Sequence, residues 1–97
     1  MSEATTIELD MGLSEKDFDS VLPNAVKPYV VTEQDSGYLL NDGEQHIHIE
    51  KTVLPPRAIA SIRLPRMMVV LKFSDHTEQQ TAAFMQRFNR YMHRGGG

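Results

Sequence analysis

The chain has no cysteine. That excludes a disulfide framework, a thiolate nucleophile, a cysteine-type zinc site and a thiolate-held iron–sulfur cluster. It also has no apolar run approaching the roughly 18 to 20 residues that a membrane-spanning helix needs. Residues Met1 to Asp10 are acidic where a secretory signal would be basic and then apolar. Neither sign of charge dominates: ten Lys+Arg against thirteen Asp+Glu leave −3, too mild to mark a nucleic-acid binder by composition. There is no glycine-rich phosphate loop, and none of Ser14, Ser20, Ser36, Ser61 and Ser74 sits in a nucleophile elbow. The expectation is a soluble, cytoplasmic, non-enzymatic domain without a cofactor.

What is present suits one domain. Ninety-seven residues, 40% of them hydrophobic, can build a single core. The charges are segregated along the chain. Residues 1–56 hold eleven acidic residues against three lysines, a balance of −8, and residues 57–97 hold seven arginines and lysines against two acids, a balance of +5. Either the two halves neutralise each other in the fold, or the second half offers a basic surface to an anionic partner.

The first dozen residues are polar without a sustained hydrophobic period, so residues 1–12 are expected to be flexible and residues 13–97 to form the domain. Leu13-Ser14-Glu15-Lys16-Asp17-Phe18 reads as a helix start, with Ser14 as N-cap and Leu13 and Phe18 placed to form a hydrophobic staple. Pro23 is expected to end that helix. From Pro28 to Phe73 the pattern is of strands. Tyr29 to Thr32 is β-branched and aromatic, Gln34 to Gly37 is a turn, Tyr38-Leu39-Leu40 returns, and Asn41-Asp42-Gly43 is the strongest hairpin signal. Ile47, Ile49 and Val53 then alternate with His46, His48, Glu50 and Thr52, which predicts a half-buried strand interrupted by Pro55-Pro56.

Ala58 to Leu64 fits strand or a short helix, with strand preferred, and Met67 to Phe73 reads as an interior strand. The chain closes on a helix of about four turns whose apolar face is Phe84, Met85, Phe88, Tyr91 and Met92. Asp75 with Glu78, or Thr77 with Gln80, could cap its start, and Gly95 stands where its stop belongs. The fold class expected is α+β: a small antiparallel meander of about four to five strands covered by a C-terminal helix, with a short N-terminal helix.

Two constellations carry possible chemistry. His46, His48 and Glu50 fall at i, i+2 and i+4 of a strand, one face of which would then present two imidazoles and a carboxylate to a divalent metal. The plain alternative is the wet side of an amphipathic strand. Arg87, Arg90 and Arg94 stack along one flank of the last helix and, with Arg63 and Arg66, could hold phosphates or a row of carboxylates. Against this, arginines in the final turns also oppose the helix dipole and keep an exposed flank soluble. Met67, Met68 and Phe84 form an apolar surplus that a small domain must bury somewhere. The leading expectation is therefore a regulatory or adaptor module that binds a protein partner as a homo-oligomer. Nucleic acid comes second, a metal-binding strand third, and no membrane association is expected.

Overall fold

The computed structural model describes residues 5–96, with side chains as far as His93. Strand β1 (Thr5–Met11) leads into helix α1 (Glu15–Ala25). A meander follows through β2 (Val30–Gln34), β3 (Gly37–Asn41), β4 (His46–Ile59) and β5 (Ile62–Ser74), and helix α2 (Glu78–Gly96) comes last. The five strands form one antiparallel sheet in the order β1-β5-β4-β3-β2, so the fold is α+β as the sequence implied. Both helices cover the same face. Phe18 and Leu22 of α1 and Phe84, Phe88 and Met92 of α2 share one core with Leu40, Ile47, Ile49, Val69, Leu71 and Phe73 of the sheet. The opposite face has no covering element among the described residues.

Local chemistry explains the helices. Ser14 caps α1, its hydroxyl accepting from the Asp17 amide at 3.1 Å, and Leu13 and Phe18 are both buried beside it. Thr77 and Gln80 form a reciprocal capping box at the start of α2: Gln80 N donates to Thr77 Oγ1 at 3.1 Å, and Thr77 N donates to Gln80 Oε1 at 2.8 Å. Between the helices and the sheet, Phe18, Phe73, Phe84 and Phe88 interlock. Phe73 meets Phe84 edge-on at 5.3 Å, and Phe88 stacks on Phe84 at 5.8 Å.

Five local expectations need correction. Residues 5–11, expected to belong to a flexible segment, pair along β5 as β1. Ile7, Leu9 and Met11 alternate onto the core there, and a three-residue alternation is too short to register as a sustained period. Pro23 does not end α1, which continues to Ala25. Pro23 is exposed, while Leu22, Ala25 and Val26 on the other side of that turn are completely enclosed, and their burial offsets the single missing hydrogen bond. Pro55-Pro56 does not interrupt β4 either. The pairing with β5 shifts between Leu54 and Arg57, so the prolines are carried in a bulge. Finally, the loop at Asp42-Gly43 is wider than a two-residue turn. Asn41 pairs with His46, and the Asp42 carboxylate accepts from the Glu44 and Gln45 amides at 2.9 and 2.7 Å. Helix α2 also continues to Gly96, beyond the stop expected at Gly95.

Candidate functional site

The molecule measures 50 × 26 × 22 Å. Its elongation comes from the unequal lengths of the strands. β4 has 14 residues and β5 has 13, whereas β3 has five and β1 seven. β3 pairs with β4 only up to Glu50, and β1 pairs with β5 only from Met67 onward. Beyond those points β4 and β5 have each other alone, so residues 54–66 stand out as a two-stranded arm. Ile59 pairs with Ile62 across a loop of Ala60 and Ser61, and Ala60 takes φ 55°, a conformation that costs a residue with a Cβ about 1 kcal/mol.

The arm is apolar but not buried. Ile59 is 54% exposed, Ile62 59%, Leu64 44%, and Val53 at the root 62%. Val53 lies on the core face, as its alternation with Ile47 and Ile49 predicted, yet it stays exposed while its cross-strand partner Met67 is enclosed. Because β5 is continuous, Ile62, Leu64, Arg66, Met68, Val70 and Lys72 all point to the uncovered side of the sheet. Their cross-strand neighbours on β4 are Ile59, Arg57, Leu54, Thr52, Glu50 and His48 in turn. An apolar stripe thus runs from the tip of the arm down the open face to Val70.

Charge follows the same axis. From Lys51 through Ser74 the chain has five cations and no acidic residue. At the root of the arm, Arg66 donates to both oxygens of Asp10, with Nη2 at 2.6 Å from Oδ2. This pairing holds the Asp10 carboxyl below its ordinary value and raises that of Arg66. Lys51 reaches Glu15 at 3.0 Å, Asp19 at 3.4 Å and the Tyr38 hydroxyl at 2.7 Å, and the Tyr38 hydroxyl itself donates to Asp19. Arg57 and Arg63, farther out, have no ion pair among the described residues.

The arginines singled out from the sequence do not form one surface. Arg63 stands on the arm and Arg66 is held by Asp10. Arg87 donates to the Asn24 carbonyl at 3.0 Å and lies over the Tyr91 ring at 4.9 Å, so it ties α2 to the end of α1. Arg90 is exposed at an open cleft of about 910 Å³ between β1 and α2, with Leu9, Met11 and Met92 in its walls. The Arg94 side chain lies outside the described residues.

His46, His48 and Glu50 do share the open face. Glu50 is engaged by Lys72 at 2.6 Å, which holds its carboxyl below the ordinary value, and His48 Nδ1 stays 3.9 Å from Glu50 Oε1. Among the described residues no three His, Asp or Glu side chains gather closely enough to hold a metal ion. His76 belongs to the core side of the sheet, where it contacts the Ser74 carbonyl at 2.7 Å and the Tyr29 hydroxyl at 2.8 Å. Burial of that hydroxyl, with the charge of Asp42 nearby, raises the Tyr29 value.

The sequence reading missed the arm. Ala60-Ser61 carries none of the glycine or asparagine chemistry of a two-residue hairpin, so one strand was read where a strand end, a turn and a strand start occur. The usable signal lay in the prolines Pro55-Pro56 and Pro65, which flank the tip symmetrically. No protein-family model matches this chain, nor does any curated protein or solved structure. No helix among the described residues is long and apolar enough to cross a membrane.

Proposed function

We propose that this protein is a small non-enzymatic protein-binding module, regulatory or adaptor in kind and homo-oligomeric, whose contact element is the β4–β5 arm. One observation carries the reading: Ile59, Ile62 and Leu64 are exposed on a ribbon that contributes nothing to the domain's own core, and Val53 at its root is exposed as well. Burying apolar surface is worth about 25 cal/mol per Å², so such a ribbon gains its stabilisation only against another molecule. The prolines favour side-chain contact over strand addition. Pro55 and Pro56 on β4 and Pro65 on β5 remove amide donors from both arm strands, which weakens either edge as a template for another strand.

Nucleic acid is the weaker reading, because Arg87 is used inside the fold and the remaining arginines point to different surfaces. A photo-crosslinking residue placed at Ile62, with a second at Thr32 on the far edge strand as control, tests the reading in native cell extract. Protein adducts at Ile62 but not at Thr32 are expected. Adducts to nucleic acid alone, or equal capture at both positions, would overturn it.

A further inference from the structure

We propose that the occupant of this surface is a second copy of the chain: two open sheet faces pack antiparallel, with the arm of each copy over the acidic strands of the other. The inference rests on the protein-binding reading above and identifies its partner. Its basis is the polarity of the stripe. At the arm end the open face carries Arg57 and no acid; at the body end it carries Glu50 on β4 and Glu8 on β1, the cross-strand neighbours of Val70, against Lys72 on β5, which pairs with Glu50 at 2.6 Å and leaves Glu8 as the acid in excess. Between them lie Ile59, Ile62, Leu64, Leu54, Met68 and Val70.

A surface that is basic at one end, apolar along its length and acidic at the other complements itself when a two-fold axis reverses it. With the axis at Arg66, Ile62 lies over the partner's Val70 and Leu64 over the partner's Met68. Arg57, the neighbour of Leu64, then lies over the partner's Thr52, two residues or about 7 Å along β4 from the partner's Glu50, a distance its long side chain spans. The two Arg66 side chains meet at the centre, each already neutralised by its own Asp10. Parallel packing would instead set Arg57 against Arg57. The stripe is about 26 Å long, two strands wide along the arm and three beside β1, on the order of 300 Å² per copy, which is below the roughly 1,000 Å² in total that stable complexes bury and in the range of weak, transient contacts. A dimer that dissociates on dilution is the consequence.

The purified chain, studied by sedimentation velocity from about 1 µM to about 500 µM, is expected to pass from monomer to dimer within that range. Arg57→Glu and Glu50→Arg each place like charges across the axis twice, and each is expected to weaken the dimer at least ~10-fold. Mixed in equal amounts, the two variants restore both opposite-charge contacts, so native mass spectrometry should show the heterodimer in excess over either homodimer. Ile62→Asp, at the tip and outside the core, should weaken the dimer without changing the circular dichroism melt. A wild-type chain that stays monomeric throughout the range, or charge variants that dimerise like wild type, would overturn the second-copy assignment. Protein adducts at Ile62 in extract, together with a monomeric purified chain, would remove the second copy as occupant and leave the protein-binding reading standing.

Discussion

Replacing Arg87 separates a structural arginine from a ligand-binding one. Helix α1 has no basic residue in its own last turn, and the Arg87 guanidinium supplies one from α2, donating to the Asn24 carbonyl at 3.0 Å. A hydrogen bond from a charged donor is worth roughly 1.5 to 3 kcal/mol, and the end of a helix dipole favours the cation further. The contact with Tyr91 adds about 0.5 to 1 kcal/mol. Against these stands the Arg87 Nε, which is enclosed without a hydrogen-bond partner and costs about 1 kcal/mol or more. The balance for Arg87→Ala is a loss of about 1 to 2 kcal/mol, which for a chain of this size lowers the melting temperature by roughly 5 to 15 °C. Arg90 is exposed and has no ion pair among the described residues, so Arg90→Ala is expected to stay within about 0.5 kcal/mol of wild type. Thermal melts followed by circular dichroism read both. Equal melting of Arg87→Ala and wild type, or an equal drop for both variants, would refute the assignment of Arg87 to the α1–α2 contact.

Gly37→Ala is expected to cost more than about 3 kcal/mol, because a Cβ at Gly37 would overlap the Ile49 carbonyl and that backbone is fixed in the β3–β4 ladder; urea unfolding with an unchanged midpoint would contradict it. Acid should destabilise the fold in steps. Asp10, Asp42 and Glu50 all have values depressed in the folded state, by Arg66, by the Gln45 and Glu44 amides, and by Lys72 respectively. A depressed carboxyl stabilises the fold above its unfolded value and loses that contribution as the pH falls through the folded one. The melting temperature should therefore hold at neutral pH and begin to fall near 4.5, the ordinary value for Glu50, and continue downward below 3.8, that for the two aspartates. Molar salt should blunt the Asp10 and Glu50 parts, since both pairs are exposed. A melt independent of pH between 7 and about 3 would contradict it.

The parts of the fold legible from sequence are those where a local rule and the tertiary structure agree. Ser14 states its own role as a cap, and the alternation around Ile47 and Ile49 and the 3.6-residue stripe of Phe84, Phe88 and Met92 state their own burial; the first caps α1 and the others are buried. The proline failures share one cause. Pro23, Pro55 and Pro56 are local breakers overridden by neighbours: enclosed Ala25 and Val26 in one case, a paired strand in the other. The face of His46, His48 and Glu50 was legible because strand parity is local. The engagement of Glu50 by Lys72 was not, because it depends on which strand becomes the neighbour. Arg87 was legible as a helix-flank residue but not as a clasp, since Asn24 lies on a different helix.

The placement of β1 bears on the order in which the chain assembles. The meander from β2 to β5 needs only short loops to close, whereas β1 pairs Thr5 with Phe73 and Met11 with Met67, well over half of the chain apart. Closing so long a loop is entropically unfavourable until the strand that receives it exists. During synthesis the first strand is therefore made first and docked late, with Ile7, Leu9 and Met11 waiting in solvent while the four later strands emerge. The acidic residues Glu8 and Asp10 are interleaved with them in that waiting segment, where they keep it soluble and repel copies of itself on neighbouring nascent chains. Once β5 is available, Asp10 acquires Arg66, and the charge that kept the segment apart becomes the clasp that holds it in the sheet.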